Sequence, residues 1–238
     1  DPLVLEQHLS IVAVIGDRMK NHQGISGNMF STLGKNNVNI RAIAQGASER
    51  NITAVIAEKD VKKALNCLHE SFFEVETKQL NLFVMGVGNV GSTLLSQIEK
   101  QASYIQNTLK LKINIVGLSN SKLMTFNDSG IDLSKWQETL SNGEKTDPIE
   151  FFEKAKALNL RNSIFVDITA NAAVAGTYEH YLKESIAVIA CNKIACSANY
   201  EQYQNLKDLS RKYKAPFLFE TNVGAGLPVI DTLNHLIA

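Results

Sequence analysis

Leu82-Phe-Val-Met-Gly-Val-Gly-Asn-Val-Gly91 is a short apolar run followed at once by three glycines in the spacing GxGxxG. Each glycine has a mechanical purpose where a strand turns into a helix: Gly86 allows the tight turn, Gly88 lets the backbone approach a pyrophosphate, and Gly91 lets the helix lie close to the sheet. The N-terminal amides and the dipole of that helix would face the anion. We therefore predict a dinucleotide-binding turn rather than a plain structural one. Its contacts would come from Gly86, Val87, Gly88, Asn89, Val90 and Gly91.

The composition is that of an ordinary globular chain. Its 238 residues are 45% hydrophobic and 20% charged, which suits one large or two modest domains. Lys and Arg number 24, as do Asp and Glu, so the charge favours neither nucleic acid nor a membrane as a partner. The three cysteines have no metal-binding spacing, and neither a signal peptide nor a membrane span stands out. We expect a cytoplasmic protein.

Two patterns meet near residue 79, which predicts domains at 1–79 and 80–238. The first reads as strand, helix, strand, strand, helix and a candidate last strand, at 8–15, 24–33, 38–44, 52–57, 61–73 and 74–79. That order is typical of a small ferredoxin-like α+β unit.

From residue 80 onward, strands alternate with helices. The strands are predicted at 81–85, 112–118, 163–168, 186–191 and 216–220, and the helices at 89–107, 172–184 and 199–212. This α/β alternation favours a doubly wound parallel sheet of the Rossmann type. The polar stretch 125–148 is irregular apart from a short helix near 133–140, and is either a lid or a surface insertion.

The loop after the second strand of this region bears on cofactor choice. NAD-preferring folds commonly place an acid there for the ribose 2′-hydroxyl, whereas this chain has Ser119, Asn120, Ser121 and Lys122. Hydroxyls, an amide and a lysine suit a 2′-phosphate better, so NADP is favoured over NAD. An ordinary polar loop is the alternative.

Polar residues also follow the later strands, where an open α/β sheet forms its ligand crevice. Thr169 and Asn171 could line the nicotinamide side, cap the next helix, or do both. Lys193 could anchor an anion or polarise a carbonyl oxygen, although a lone lysine is usually a solvated surface group. Cys191 and Cys196 have no evident histidine partner, so small buried packing groups are favoured over nucleophiles.

A turn at residues 220–228 ends a strand, passes through two glycines and starts a helix at Pro228. Such a turn exposes carbonyl oxygens that can bind a hard cation. Alone, the pattern is more often just a turn.

Together these motifs resemble homoserine dehydrogenase. The stretches that carry the resemblance are Gly86–Gly91, Gly117-Leu-Ser-Asn-Ser-Lys122, Asp167-Ile-Thr-Ala-Asn171, Asn192-Lys193 and Glu220-Thr-Asn-Val-Gly-Ala-Gly-Leu-Pro-Val-Ile230. The first region looks like the ACT regulatory unit of aspartate kinases, through Gly24-Ile-Ser-Gly27, Phe30, Asn37-Val-Asn-Ile40 and Ile43-Ala-Gln-Gly-Ala-Ser-Glu49. An ACT unit directly ahead of this dehydrogenase is the arrangement of bifunctional aspartokinase/homoserine dehydrogenases.

The resemblance implies roles for single residues. The glycine loop, Thr169 and Lys193 match the NADP contacts of the family, with Lys193 also near the reacting centre as the catalytic residue. A sodium ion is implied at Glu220, Val223, Ala225 and Leu227, largely through backbone carbonyls. Asn39 and Gln45 match positions that bind a feedback amino acid, with threonine as the candidate, between paired units of a homo-oligomer.

The implied reaction is NADPH-dependent reduction of L-aspartate 4-semialdehyde to L-homoserine, in threonine and methionine biosynthesis. Asp1 is not an initiator residue and Ala238 stands within an unfinished helix pattern, so we expect a piece of a longer protein. The kinase domain and the rest of the substrate domain would then lie outside it, and this piece would bind cofactor with little turnover. The alternative is a non-enzymatic amino-acid sensor with a nucleotide-binding platform.

Overall fold

The computed structural model describes residues 5–16, 19, 22–46, 50–73 and 77–237. The chain divides into two compact units, Asp1–Lys78 and Gln79–Ala238. Among the described residues, no helix is long and apolar enough to cross a membrane. Residues 47–49 of the first unit's family motif lie outside the described part of the chain.

The first unit is a three-stranded antiparallel sheet with two helices. Its elements are β1 (Leu9–Ile15), α1 (Ile25–Lys35), β2 (Ile40–Gln45), β3 (Asn51–Ala57), a 3-10 turn (Glu58–Asp60) and α2 (Val61–Phe72). The strand order is β1-β3-β2, and alternate residues of β3 are buried, as a strand with one covered face requires. Met29, Leu33 and Ile56 are fully buried in its core. The predicted order of the first five elements, from strand 8–15 to helix 61–73, is confirmed.

The candidate strand at 74–79 is only partly covered by the described residues. Residues 74–76 lie outside the described residues, and residues 78 and 79 begin β4, the first strand of the second sheet.

The second unit alternates strands and helices around a seven-stranded sheet. Its elements are β4 (Lys78–Met85), α3 (Asn89–Asn107), β5 (Leu111–Ser119), β6 (Leu123–Phe126), α4 (Trp136–Ser141), β7 (Glu144–Lys145), α5 (Pro148–Leu158), β8 (Ser163–Asp167), α6 (Ala172–Ala175), α7 (Tyr178–Lys183), β9 (Ala187–Ala190), α8 (Ile194–Ser197), α9 (Tyr200–Tyr213), β10 (Phe217–Leu218), a 3-10 turn (Glu220–Asn222) and α10 (Val229–Ile237). The strand order is β10-β9-β8-β4-β5-β6-β7.

The sheet is parallel through its middle and antiparallel at one edge. β4, β8, β9 and β10 pair in parallel, whereas β5 with β6 and β6 with β7 are antiparallel pairs. The α/β class and the mostly parallel sheet are confirmed, and the short helix expected near 133–140 is present as α4, but the stretch 125–148 is less irregular than predicted. It supplies the end of β6, all of β7 and the helix α4.

Both faces of the sheet are covered. Phe83 and Met85 of β4 point into one core with Phe165 and Tyr181, while residues on the alternate face of β4 join Leu95 of α3 in a second core. The alternation within a single buried strand is what a sheet with helices on both faces requires.

Three helices differ from the sequence-based prediction, one of them the four-residue α8, which was not predicted. α5 was not predicted, although Asp147 caps its start by accepting hydrogen bonds from the N–H groups of Ile149 and Glu150, both at 2.9 Å, with Pro148 in the first turn. The single helix predicted at 172–184 is interrupted at Gly176 and Thr177, which separate α6 from α7.

Candidate functional site

The glycine turn after β4 is built as its spacing predicts. Gly86 has a φ of 101°, and a Cβ there would lie 2.6 Å from the carbonyl oxygen of Ile168. A Cβ on Gly91 would collide with the carbonyl oxygen of Gly86. Both positions therefore exclude any side chain for reasons internal to the fold.

Gly88 differs, because a Cβ there would meet no described atom within 4 Å. Its lack of a side chain leaves an open space beside the turn. Ser92 N–H donates to Gly88 O at 2.8 Å, so the N–H groups of residues 89–91 precede the first hydrogen bond of α3. Free amides beside an open surface are what a pyrophosphate needs.

Four strand ends meet at one edge of the sheet. Gly86 N–H donates to Ser119 O, Ile168 N–H to Met85 O, and Cys191 N–H to Asp167 O, all at 2.8 Å. These bonds join the loops after β5, β4, β8 and β9 in that order. The chain leaves β4 for β5 on one side and later returns to β8 on the other, which makes this edge the switch point where open α/β sheets hold ligands.

The loop after β5 divides into two parts. Ser119 is buried, with its hydroxyl 2.9 Å from Asn120 O and 3.1 Å from Thr146 Oγ1, and Asn120 Oδ1 accepts the N–H groups of Lys122 and Leu123. Both predicted contact side chains are thus used to close the loop.

The remaining two residues of that loop, Ser121 and Lys122, are exposed. Within the described part of the chain, neither the Ser121 hydroxyl nor the Lys122 ammonium has a side-chain partner. They are the side chains of this loop that remain available to a ligand.

Asp167, the last residue of β8, is completely buried. Its Oδ1 accepts the Thr169 N–H at 2.7 Å, and its Oδ2 accepts the Tyr178 hydroxyl at 2.7 Å and Asn192 Nδ2 at 3.0 Å. Burial, and then the charge of Asp167, raise the pKa of Tyr178 well above its ordinary value, so its hydroxyl remains a donor.

Thr169 and Asn171 lie in the loop after β8, at the sheet edge. Asn171 Oδ1 accepts the Ala173 N–H at 2.8 Å and so caps α6, while Thr169 Oγ1 accepts the Asn171 N–H at 3.1 Å. The capping role that the sequence left open therefore holds for Asn171. Thr169 remains half exposed beside the glycine turn, since its methyl group would lie 3.0 Å from a Cβ on Gly86.

Lys193 stands between two fixed neighbours. Asn192 is buried, and its Oδ1 accepts the Ile194 N–H at 3.1 Å, which starts α8. Lys193 itself is exposed, and no described residue pairs with its ammonium group. The loop presents a free cation at the sheet edge.

The turn at residues 220–228 uses its carboxylate to cap a helix. Glu220 Oε1 and Oε2 accept the N–H groups of Ile230 and Asp231 at 2.9 and 2.8 Å, at the start of α10. The carbonyls of Glu220 and Leu227 accept backbone N–H groups, whereas no such bond is recorded among the described residues for the carbonyls of Val223 and Ala225. The carbonyl oxygens of Val223 and Ala225 are therefore backbone groups of this turn that no described N–H occupies.

In the first unit, Asn39 directly precedes β2 and Gln45 ends it, and both are exposed. A strand rises about 3.3 Å per residue, so the two lie roughly 20 Å apart. The structure does not bring them together within one copy of the unit.

Sequence reasoning missed the partners of Asp167. Tyr178 and Asn192 were not among the predicted site residues, and Asp167 was quoted only as part of a motif. The available signal was an acid placed directly after a buried apolar strand, where a carboxylate needs donors from elsewhere.

Comparisons with known proteins agree with this geometry. A family model for the ACT domain matches residues 12–72, and one for the homoserine dehydrogenase NAD-binding domain matches residues 86–220, more than half of the chain. The chain is 40% identical to the chloroplastic bifunctional aspartokinase/homoserine dehydrogenase 1 of Arabidopsis thaliana over 96% of this chain and 25% of that protein. It is 36% identical to the bifunctional aspartokinase/homoserine dehydrogenase of Haemophilus influenzae over 100% of this chain and 29% of the relative.

Among solved structures, a hyperthermophilic archaeal homoserine dehydrogenase in complex with NADPH superposes with a TM-score of 0.54 and 27% identity. The superposition covers 66% of this chain and 48% of the archaeal chain. The chain spans only about a quarter of the length of the curated relatives it matches.

Proposed function

Because the chain belongs to the homoserine dehydrogenase family and carries an ACT domain ahead of its NAD-binding domain, we propose that it is the cofactor-binding and regulatory part of a bifunctional aspartokinase/homoserine dehydrogenase. The proposed reaction is NADPH-dependent reduction of L-aspartate 4-semialdehyde to L-homoserine, a step toward threonine and methionine. The observation that carries the proposal is the glycine turn, where Gly86 and Gly91 are required by the fold and Gly88 is not.

The turn supports binding of the cofactor pyrophosphate. The N–H groups of residues 89–91 lie at the N-terminus of the long helix α3, whose first turn has no acidic side chain to repel an anion. The open space at Gly88 lets a phosphate reach these amides. When bound, NADPH would supply the hydride that reduces the aldehyde carbon.

The choice of NADPH over NADH rests on Ser121 and Lys122. Their exposed side chains lack described partners, and no acid stands in this loop to bond a ribose 2′-hydroxyl. A lysine ammonium provides a point charge for a 2′-phosphate. The NADPH complex of the archaeal relative supports the same preference.

Lys193 is the proposed catalytic residue. Its free ammonium at the sheet edge would stabilise the negative charge that develops on the substrate carbonyl oxygen. The buried Asn192 beside it fixes the backbone from which the lysine extends. Acidic and basic groups that complete the substrate site would come from a further part of the full-length protein.

The proposed sodium site would use the carbonyl oxygens of Val223 and Ala225, since the Glu220 carboxylate already caps α10. The test is the thermal midpoint of unfolding in sodium chloride against choline chloride at equal ionic strength. Stabilisation specific to sodium is expected, and it should persist in the Glu220→Gln variant. Equal midpoints in the two salts would contradict the site.

The ACT domain is the proposed effector site, with threonine as the candidate. Because Asn39 and Gln45 lie at opposite ends of β2, one amino acid can meet both only when two copies of the chain pair. Threonine titration by calorimetry, with lysine and methionine as comparators, should therefore give binding that disappears below the concentration at which the chain dissociates. Binding by a monomer would contradict the paired site.

The deciding experiment is an NADPH titration of the 238-residue chain, followed by nicotinamide fluorescence, with NADH as the comparator. Saturable binding that is tighter for NADPH is expected. Tighter NADH binding would be compatible with a dehydrogenase but would contradict the proposal that Ser121 and Lys122 bind the 2′-phosphate. The absence of binding to either would contradict the cofactor site and favour the amino-acid sensor.

A further inference from the structure

The Asp167 carboxylate connects three separate segments of the second unit. Its donors are the Thr169 N–H in the loop after β8, the Tyr178 hydroxyl on α7, and the Asn192 amide in the loop after β9. The carboxylate is fully buried, so these donors replace the water molecules that would otherwise solvate it.

Asn192 extends this connection to the backbone of both loops. Its Nδ2 lies 3.0 Å from Asn171 O as well as 3.0 Å from Asp167 Oδ2, and its Oδ1 accepts the Ile194 N–H at 3.1 Å. Lys193 therefore lies between two residues whose positions depend on Asp167.

Among the described residues, no cationic side chain forms an ion pair with Asp167. A buried charge held only by neutral donors is a costly way to stabilise a core, because well-packed apolar groups serve that purpose better. Such a group is better explained by the geometry that it imposes on its donors.

We propose that Asp167 is a positioning residue that holds the Thr169 loop and the Asn192-Lys193 loop in one fixed relation. Tyr178, on α7, supports the Asp167 carboxylate through the hydrogen bond that its hydroxyl donates. The proposal rests on the function proposed above, since it assigns Asp167 and Tyr178 a purpose in placing Lys193. Neither residue would touch the substrate.

The neighbouring tyrosine provides a matched control. Tyr178 and Tyr181 both lie on α7, are fully buried and contact Phe165. The Tyr178 hydroxyl bonds Asp167, whereas the Tyr181 hydroxyl has no hydrogen-bond partner in the described part of the chain. Phenylalanine at either position removes one buried hydroxyl, but only one of the two changes touches the carboxylate.

The first measurement is amide hydrogen exchange on the cofactor-free chain. In Tyr178→Phe, exchange of the Thr169 and Ile194 N–H groups should accelerate roughly tenfold, and more in Asp167→Asn. In Tyr181→Phe both rates should stay within about twofold of the parent. Equal protection in Tyr178→Phe and Tyr181→Phe overturns the proposal, whether or not the chain binds NADPH.

The second measurement is steady-state kinetics of the full-length protein. Tyr178→Phe should lower kcat about tenfold with little change in the KM for NADPH, because a small displacement of a catalytic group slows chemistry more than binding. In a Lys193→Ala background the same change should have no further effect on kcat. Full additivity of the two changes would mean that Asp167 acts on stability alone, which overturns the proposal.

The two proposals fail in different ways. If the parent chain binds no NADPH, the proposed function fails while the exchange data still decide whether Asp167 couples the loops. If NADPH binds but neither loop loosens in Tyr178→Phe or Asp167→Asn, the proposed function stands and the positioning role is wrong. If the Asp167→Asn variant does not fold, the comparison of Tyr178→Phe with Tyr181→Phe still tests the proposal.

Discussion

The carbonyl oxygen of Gly86 occupies the place that a side chain at Gly91 would need. The first turn of α3 therefore lies directly against the end of β4, with no room between the two backbones. Gly88, between them in sequence, faces open space instead. The three glycines of the motif are thus required for different reasons, and mutations can test each reason separately.

Gly91→Ala should destabilise the second unit by about 2 kcal/mol, the usual cost of overpacking a close contact. Gly88→Ala should cost less, about 1 kcal/mol, because its methyl group meets no described atom within 4 Å and the loss is that of alanine in place of glycine at the N-cap of α3. Urea unfolding measures both. Gly88→Ala should nonetheless weaken NADPH binding about tenfold, or about 1.4 kcal/mol. Unchanged NADPH affinity in that variant would contradict the pyrophosphate site.

Lys122→Ala should raise the Kd for NADPH about tenfold and leave that for NADH within about twofold, because only NADPH carries the 2′-phosphate. Lys112, exposed at the opposite end of β5, provides the control. Fluorescence titrations at low and moderate salt give both constants, and the loss should shrink as salt rises. Equal losses for the two nucleotides would mean that Lys122 does not read the phosphate.

Lys193→Ala should lower kcat/KM of the full-length protein by about two orders of magnitude or more, since the lysine is proposed to stabilise charge in the transition state. Its NADPH affinity should change far less. Lys183→Ala, which removes an exposed ammonium paired with Glu179 at 3.0 Å, controls for a general loss of positive charge. Near-normal turnover of Lys193→Ala would contradict the catalytic assignment.

Cys196 should react slowly with iodoacetamide at neutral pH. Burial raises the pKa of its thiol, so the reactive thiolate is scarcer than in free cysteine, and the rate should keep rising above the pH at which free cysteine levels off. Peptide mass spectrometry over a pH series measures this. A reaction faster than that of a small free thiol would contradict the packing role and favour a nucleophilic role for this cysteine.

The sequence predicted the glycine turn because the three glycines follow an apolar strand at a fixed local spacing. Strong periodicity likewise predicted the long helix α3 and the parallel strands. The antiparallel edge escaped prediction because β7 is only two residues long, and Glu144-Lys145 carries no pattern of its own. Its pairing with Leu123 and Met124 exists only in the folded chain.

In the candidate site, too, local features were predicted and contacts between distant segments were not. Ser119 and Asn120 were predicted to contact the cofactor. In the structure the Ser119 hydroxyl bonds Thr146, a residue far along the chain, and the Asn120 side chain accepts two N–H groups of its own loop. The Asp167 network could not be predicted, because its donors come from α7 and from the loop after β9. Hydrogen bonds between distant segments leave no local spacing to detect.

The outer strands of the large sheet, β10 and β7, are each only two residues long. The unpaired N–H and C=O groups of an exposed edge strand can bind a strand of another chain. A shorter edge strand offers fewer hydrogen bonds for such pairing. Here each edge offers two residues, and one of them presents a Glu-Lys pair. Such short edges limit edge-to-edge aggregation, so we expect a variant that lengthens either strand to aggregate more readily.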